Sequence, residues 1–205
     1  MRGTEGHMPT PLTKTGRRTW VDAALCGLAL LALSPPLQGQ VRVGVQGFAG
    51  TSAAESLSVQ INSGSSLSIT SLTPGAVNSF SGGPVSVTTS WSSLKSRRTA
   101  VALYTYFSSA TSALVHTNSL NTTDIPSSAI KVRMNGSGAY NPLSNTTPFT
   151  AAASGRLLFT QTIYSGNRTS SRTDALDLQL DLTTLPQLPA DTYTGTLRIQ
   201  AQATP

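Results

Sequence analysis

Apolar residues recur at every second position in nine separate runs of this chain. In VRVGVQGF, residues 41–48, valine occupies Val41, Val43 and Val45, and polar or small residues fill most positions between them. Strict alternation is typical of a β-strand that turns one face to a core and the other to solvent. Stretches rich in Gly, Pro, Asn and Ser separate the runs. The other eight runs are 56–61, 65–70, 84–91, 101–107, 129–135, 156–164, 175–182 and 191–203.

The run ALDLQLDL, residues 175–182, needs separate treatment because leucine favours helices. On a helix its four leucines would spread around the cylinder, whereas on a strand they share one face. Residues 101–107, VALYTYF, are apolar at both parities, which is typical of a central strand. The pattern predicts an all-β fold, an antiparallel immunoglobulin-like β-sandwich of about 7–9 strands.

Three stretches lack the alternation and are predicted as loops. They are residues 71–83, residues 108–128 and residues 136–155. In the second, only Leu114 and Val115 hint at a short strand. Because binding residues concentrate on long loops, we expect any ligand site on these stretches.

Residues 1–40 have the layout of a secretory signal peptide. Arg17 and Arg18 precede the apolar run 23–33, and two prolines follow before the small residue Gly39. The run is too short to span a bilayer, which needs about 20 apolar residues. We expect cleavage near Gly39 and export to the periplasm, the cell surface or the medium. Residues 41–205 would then form a single secreted domain without a membrane span.

The export route follows from the flanks of the two arginines. RRTWV, residues 17–21, resembles the twin-arginine pattern, but Gly16 and Asp22 depart from its consensus. The sequence therefore favours the Sec route. Cys26 lies inside the apolar run rather than after it, so we interpret it as an apolar residue that is removed with the signal peptide.

The composition of residues 41–205 narrows the class of protein. These 165 residues contain ten Lys and Arg against six Asp and Glu, a net charge of +4, and no cysteine. A charge this small indicates solubility rather than a nucleic-acid surface. Ser and Thr supply 51 of the 165 residues, and threonine suits the pleated surface of a strand. Without disulfides, the fold must be stabilised by burial and backbone hydrogen bonds, which a domain of this size can achieve.

No motif of catalytic or metal chemistry stands out. His116 is the single histidine of residues 41–205, and no G-x-S-x-G motif accompanies it. We interpret it as a solvated loop side chain. Asp177 and Asp181 share a strand face but lie about 13 Å apart, too far to hold one calcium ion together. We predict a non-enzymatic protein with no catalytic, metal or cofactor site.

One basic cluster and one aromatic group are candidates for surface contacts. Lys95, Arg97 and Arg98 lie in KSRR, between two predicted strands. They would either contact an acidic polysaccharide or a phospholipid headgroup, or form a solvated hairpin tip. Tyr104, Tyr106 and Phe107 could stack on sugars if exposed, but a central strand favours the core for them. Four N-x-S/T triplets mark loops that we expect to be exposed: Asn121, Asn135, Asn145 and Asn167.

The segment LPADTYTGTLRIQAQA, residues 188–203, resembles the closing segment of a known family. That family is the secreted bacterial pilin-like β-sandwiches of the spore coat protein U and fimbrial-subunit group. Pro189, Ala190, Thr192 and Tyr193 match the family's motif, whereas Asp191 stands where a glycine is usual. LLFTQTIYSGNRT, upstream of this segment, is similar to the preceding strand and loop. The cysteines common in the group are missing here.

The resemblance implies a structural protein that assembles at the cell surface, alone or with a periplasmic chaperone or assembly factor. In that group a subunit lacks a strand, and an extended segment of a neighbour fills the groove; Val41, Val43 and Val45 would be the donated residues here. The alternative for this segment is the protein's own first strand. A second hypothesis is a secreted, adhesin-like module that binds carbohydrate or protein through residues 71–83 and 136–155.

Overall fold

The computed structural model describes residues 39–48, 55–146, 148, 152–185 and 187–205. The predicted signal peptide lies almost entirely outside the described residues. Two short 3-10 helices, Ser127–Ala129 and Ser165–Asn167, accompany twelve strands in the described part of the chain. The strands are β1 Gln40–Phe48, β2 Ser56–Ser63, β3 Ser66–Ile69, β4 Val77–Ser79, β5 Val85–Ser92, β6 Ala100–Phe107, β7 Val115–His116, β8 Ile130–Met134, β9 Ser137–Pro142, β10 Ser154–Thr162, β11 Ser170–Asp181 and β12 Thr192–Thr204.

The strands form two sheets that enclose one hydrophobic core. The first sheet has the order β10-β6-β12-β1-β3, with β7 added to β12. The second has the order β2-β5-β11-β8-β9, with β4 added to β11. Neighbouring strands run antiparallel except β1 and β12, which are parallel. The predicted all-β sandwich is therefore confirmed, with one parallel pair in an otherwise antiparallel arrangement.

All nine predicted runs form strands, because a period of two places every second side chain in the core. The leucines of β11 show this: Leu176, Leu178 and Leu180 are buried, while Asp177 and Asp181 lie on the outer face. These aspartates form ion pairs with basic residues of the neighbouring strand β8. Asp181 pairs with Lys131 at 2.5 Å and Asp177 with Arg133 at 3.1 Å.

Three short strands lie within the stretches that were predicted as loops. They are β4 in residues 71–83, β7 in residues 108–128 and β9 in residues 136–155. Strand β9 contains no buried residue, and β4 and β7 have three and two residues. Such segments carry no usable alternation, and they are strands because an adjacent strand (β11, β12 or β8) offers free backbone groups.

The sandwich has a Thr192 end and a Thr204 end, which correspond to the first and last residues of β12. At the Thr192 end, the backbone of Gln40 donates to Asp191 and Leu72 donates to Gly39. At the Thr204 end, Thr99 donates to Thr204 and Leu94 donates to Arg168. β12 has 13 residues, so the ends lie roughly 40 Å apart at about 3.3 Å per residue. No helix among the described residues has the length and apolar character needed to cross a membrane.

Candidate functional site

Strand β1 lies in the interior of the first sheet. Its nine residues pair in parallel with β12, from Gln40 opposite Thr192 to Phe48 opposite Gln200. On its other edge, residues 41–44 pair antiparallel with β3. Val41, Val43 and Val45 are all buried, as their alternation predicts. In this structure the segment is a strand of its own sheet.

The slot that holds β1 is lined by apolar side chains of both flanking strands. The buried residues of these strands are Leu67 and Ile69 of β3 and Tyr193, Leu197 and Ile199 of β12. Burial of a valine side chain stabilises a fold by roughly 1.5–3 kcal/mol. β1 therefore supplies a large part of the contact on this side of the core. Without it, β12 and β3 would each expose a row of backbone donors and acceptors.

The basic cluster at the Thr204 end divides into one anchored and two exposed side chains. Arg98 is half-buried; its Nη2 lies 3.3 Å from Glu55 Oε2, and its Nη1 donates to the carbonyl of Ala203 at 3.0 Å. Lys95 and Arg97 are exposed. Arg168 donates to the carbonyls of Leu94 and Lys95. Arg98 thus ties the loop to β12, while Lys95 and Arg97 remain available for contacts.

Glu55 is a buried carboxylate at this end. The backbone N–H of Lys95 donates to its Oε1 at 2.8 Å. This hydrogen bond, and the Arg98 guanidinium after it, lower the pKa of Glu55 against the opposing effect of desolvation. The carboxylate is therefore held ionised.

A cavity of about 450 Å³ opens beside Glu55 and Arg98 at the Thr204 end. Its apolar lining comes from Leu57 of β2, Leu94 of the loop between β5 and β6, and Ala201 and Ala203 of β12. The volume falls within the range of small-ligand sites, roughly 300–1,000 Å³. Sequence analysis did not find this cavity, since its lining residues come from three distant segments.

Asp191 organises the Thr192 end. Its carboxylate accepts hydrogen bonds from Thr117 Oγ1, Asn118 N, Asn121 Nδ2 and Thr192 N. Desolvation raises the pKa of Asp191, but these hydrogen bonds outweigh it and lower the pKa to about 2. In the sequence, only the presence of an aspartate at position 191, where the pilin-like motif has glycine, pointed to this hydrogen-bonded arrangement.

Tyr193 completes this arrangement from the core side. Its ring is fully buried, and its hydroxyl donates to the Pro189 carbonyl at 3.0 Å and accepts from Asn121 Nδ2 at 3.1 Å. Burial raises the pKa of this hydroxyl, so it stays protonated. Asn121 is only 7% exposed, although residues 117–120 before it are exposed, so its N-x-S/T triplet marks an exposed loop, as predicted, but the asparagine itself is buried. The Asn121 amide serves instead as a bridge between Asp191 and Tyr193.

The other three triplets are placed differently. Asn135 donates to Asp174, and Asn167 donates to the Thr162 carbonyl, so both amides have partners. Asn145 is exposed. The expected exposure therefore holds for Asn135 and Asn145, whereas Asn167 is half-buried.

His116 is not a solvated loop residue, contrary to the sequence interpretation. It lies in β7, half-buried, with Nδ1 2.7 Å from Asp124 Oδ1. Desolvation raises the pKa of Asp124, but hydrogen bonds from Ser112 and His116 outweigh this effect, and the pKa lies below its usual value. Ser112 bonds to the carboxylate rather than to the imidazole, so these three residues do not form a nucleophile–base–acid series. No group of three or more His, Cys, Asp or Glu that could hold a metal ion occurs among the described residues.

The predicted loops 71–83 and 136–155 meet at a small cavity. Its volume is about 150 Å³, and its lining includes Phe80, Tyr140 and Asp177. Arg133 lies 4.5 Å from the centre of the Tyr140 ring and pairs with Asp177, which holds both in place. The cavity therefore combines aromatic side chains of the two predicted loops with a carboxylate of β11.

Strand β6 places its aromatic residues on both sides of the first sheet. Phe107 is buried in the core, whereas Tyr104 and Tyr106 are half-buried on the outer face. The core prediction for the tyrosines is wrong, because they point to the opposite face of β6 from the buried Val101, Leu103 and Phe107. Tyr106 packs beside Gly155 of β10. A Cβ added at residue 155 would lie only 2.4 Å from the Cβ of Tyr106.

No protein-family model matches the chain, and no curated protein matches it significantly.

Proposed function

We propose that this protein is a non-enzymatic structural subunit, exported to the cell surface, whose copies associate when β1 of one copy fills the β1 slot of another. One observation carries the proposal: the first strand of the secreted domain lies in the middle of a sheet and completes its core. A strand of this kind recruits its partners through main-chain hydrogen bonds and alternate side chains. Every copy has the same strand and the same slot, so exchange between copies preserves all contacts.

The export signal and the composition support this role. Residues 1–40 predict secretion, and the +4 charge of residues 41–205 is compatible with a soluble subunit before assembly. A copy whose slot is open exposes two sheet edges and would need a second copy, or a periplasmic chaperone, to cover them. The partners proposed are therefore the protein itself and an assembly factor that holds the open slot.

Removal of β1 gives the first test. A chain of residues 49–205 is expected to lose its cooperative unfolding transition, because the core is open at the slot. Addition of a peptide of residues 40–48 should restore it, whereas a peptide with serine at Val41, Val43 and Val45 should not. Thermal unfolding followed by near-UV circular dichroism measures both. If the cognate peptide fails to restore the fold, the slot cannot accept a donated strand.

Exchange between whole copies can be trapped covalently because residues 41–205 contain no cysteine. Arg42 and Thr194 are register partners on the outer face of the β1–β12 pair. Single variants Arg42→Cys and Thr194→Cys, refolded together and oxidised, should form a disulfide-linked mixed dimer. Arg42→Cys with Gln200→Cys, which lies at the far end of β12, is the matched control and should cross-link much less. Equal yields in both mixtures would contradict the proposed register.

The cavity between the two predicted loops favours a second candidate, a carbohydrate-binding module. An aromatic ring beside a carboxylate can contact the apolar face and the hydroxyl groups of a sugar, and 150 Å³ suits one sugar ring rather than a drug-sized ligand. Tyr140→Ala is expected to abolish binding on a glycan array, while Tyr164→Ala, at an exposed site at the Thr204 end, should leave it unchanged. Binding that survives Tyr140→Ala would exclude this cavity as the sugar site.

A further inference from the structure

A tight turn at the Thr192 end presents one large apolar side chain to solvent. The Asn121 N–H donates to the Asn118 carbonyl at 3.0 Å, and the Leu120 N–H donates to Asn118 Oδ1 at 3.0 Å. Leu120, inside this turn, is 89% exposed. An exposed leucine does not contribute the stabilisation that burial of its side chain would give. The turn therefore carries an apolar group that the domain itself does not use.

The turn is held rigidly at its base. Asp191 accepts from the residues on both sides of Leu120, Asn118 N and Asn121 Nδ2, and Asn121 also reaches the buried Tyr193 hydroxyl. A side chain on a fixed support loses less conformational entropy on binding than one on a free loop. Leu120 is thus presented as a preorganised anchor.

The opposite end of the same strand offers a complementary feature. The 450 Å³ cavity at the Thr204 end is lined by Leu57, Leu94, Ala201 and Ala203. Its volume accommodates a leucine side chain together with part of the turn that carries it. The anchor and the cavity lie at the two ends of β12, roughly 40 Å apart, so one copy cannot join its own two features.

The charges of the described residues differ in sign between the two ends. The Thr204 end carries four cations against Glu55: Lys95, Arg97, Arg98 and Arg168. The Thr192 end carries three carboxylates against two cations: Asp124, Asp181 and Asp191 against Arg42 and Lys131. Stacking the Thr192 end of one copy on the Thr204 end of another brings opposite net charges together.

We propose that copies of this protein associate head to tail, with Leu120 of one copy seated in the Thr204-end cavity of the next. The two surfaces are different, so the contact is heterologous and leaves a free anchor and a free cavity at the ends of every oligomer. Open chains follow, unless the rotation between copies closes a ring. The contact goes beyond strand exchange, because it leaves β1 in its own sheet.

Two variants that each remove one half of the contact provide the test. Leu120→Ser removes the anchor, and Ala203→Phe fills the cavity. Each is expected to lower the association constant of residues 41–205 by roughly 10–100-fold in sedimentation velocity at low salt. Leu157→Ser, at an exposed site on β10, is the matched control and should associate like the wild type. Association should also weaken as ionic strength rises, because the charges at the two ends become screened.

A mixture of Leu120→Ser and Ala203→Phe distinguishes the head-to-tail contact from other modes of association. Leu120→Ser retains the cavity and Ala203→Phe retains the anchor, so an equal mixture should form discrete mixed dimers and no longer species. Absence of mixed dimers, or a wild type that stays monomeric at millimolar concentration, would overturn the proposal. Undiminished association of Leu120→Ser would overturn it too, and would show that copies associate through another surface. The Arg42→Cys and Thr194→Cys cross-link, repeated in Leu120→Ser, reports strand exchange separately.

Discussion

Val43→Asp is expected to unfold the domain. Val43 is 1% exposed and lies between Gly195 of β12 and Leu67 of β3 in the register of the first sheet. An aspartate carboxylate at this position would be removed from water and surrounded by apolar side chains. Its burial lowers the free energy of unfolding by more than about 4 kcal/mol. Domains of this size are stable by about 5–15 kcal/mol in total. Urea denaturation should show a midpoint near zero denaturant or no transition at all.

Arg42→Asp is the control for that experiment. Arg42 is the neighbour of Val43 on the same strand, but its side chain is exposed on the outer face. The same aspartate there should change the free energy of unfolding by less than about 1 kcal/mol, as surface substitutions usually do. If Val43→Asp and Arg42→Asp unfold at similar urea concentrations, β1 does not occupy the core position described here.

Gly195→Ala is expected to destabilise the domain by about 2–4 kcal/mol, more than a typical overpacked site. A Cβ at residue 195 would lie 2.2 Å from the Ala113 carbonyl oxygen and 2.6 Å from Leu114 Cδ2. The obstructing backbone cannot move easily, since Leu114 is fully buried and bridges Ile125. The substitution should displace the segment that crosses β12, and with it the turn that carries Leu120. Thermal unfolding measures the stability, and hydrogen exchange of the Asn121 amide measures the displacement.

Gly44→Ala on the adjacent strand is its matched control. Gly44 lies one register pair away, opposite Thr196, and a Cβ there would meet no atom within 4 Å. Its effect should lie within about 1 kcal/mol and can be stabilising, because alanine restricts the unfolded chain more than glycine does. Equal stability of the two variants would show that residues 113–114 do not pack against β12 at Gly195.

The two proposed modes of association use separate parts of the molecule. Strand exchange depends on β1 and its slot, whereas the head-to-tail contact depends on Leu120 and the cavity beside Leu57. Substitution of Leu120 should leave strand exchange intact, since effects are additive when the sites share no contacts.

Most of the fold could be predicted from the sequence, because alternation is a local property. The alternation of apolar residues within each strand indicates which face is buried. Val41, Val43 and Val45 are one example, and the leucines of residues 175–182 are another. The prediction was wrong where the local pattern does not report the surroundings. Tyr104 and Tyr106 have the apolar character of core residues but lie on the outer face of β6.

The sequence by itself determined the all-β class, the nine alternating strands and the face that most of them turn to the core. These features depend on residue type and on spacings of one or two positions, which can be read along the chain. It also identified Asp191 as a departure from the pilin-like motif, without indicating a role for it.

Only the tertiary structure decided which strands are neighbours and which side chains meet. The parallel β1–β12 pair joins segments about 150 residues apart, and Asp191 binds a turn some 70 residues before it. The Thr204-end cavity unites Glu55, Leu94 and Ala201. Hydrogen bonds and cavity walls of this kind form between groups distant in the chain, and no local period encodes such distances.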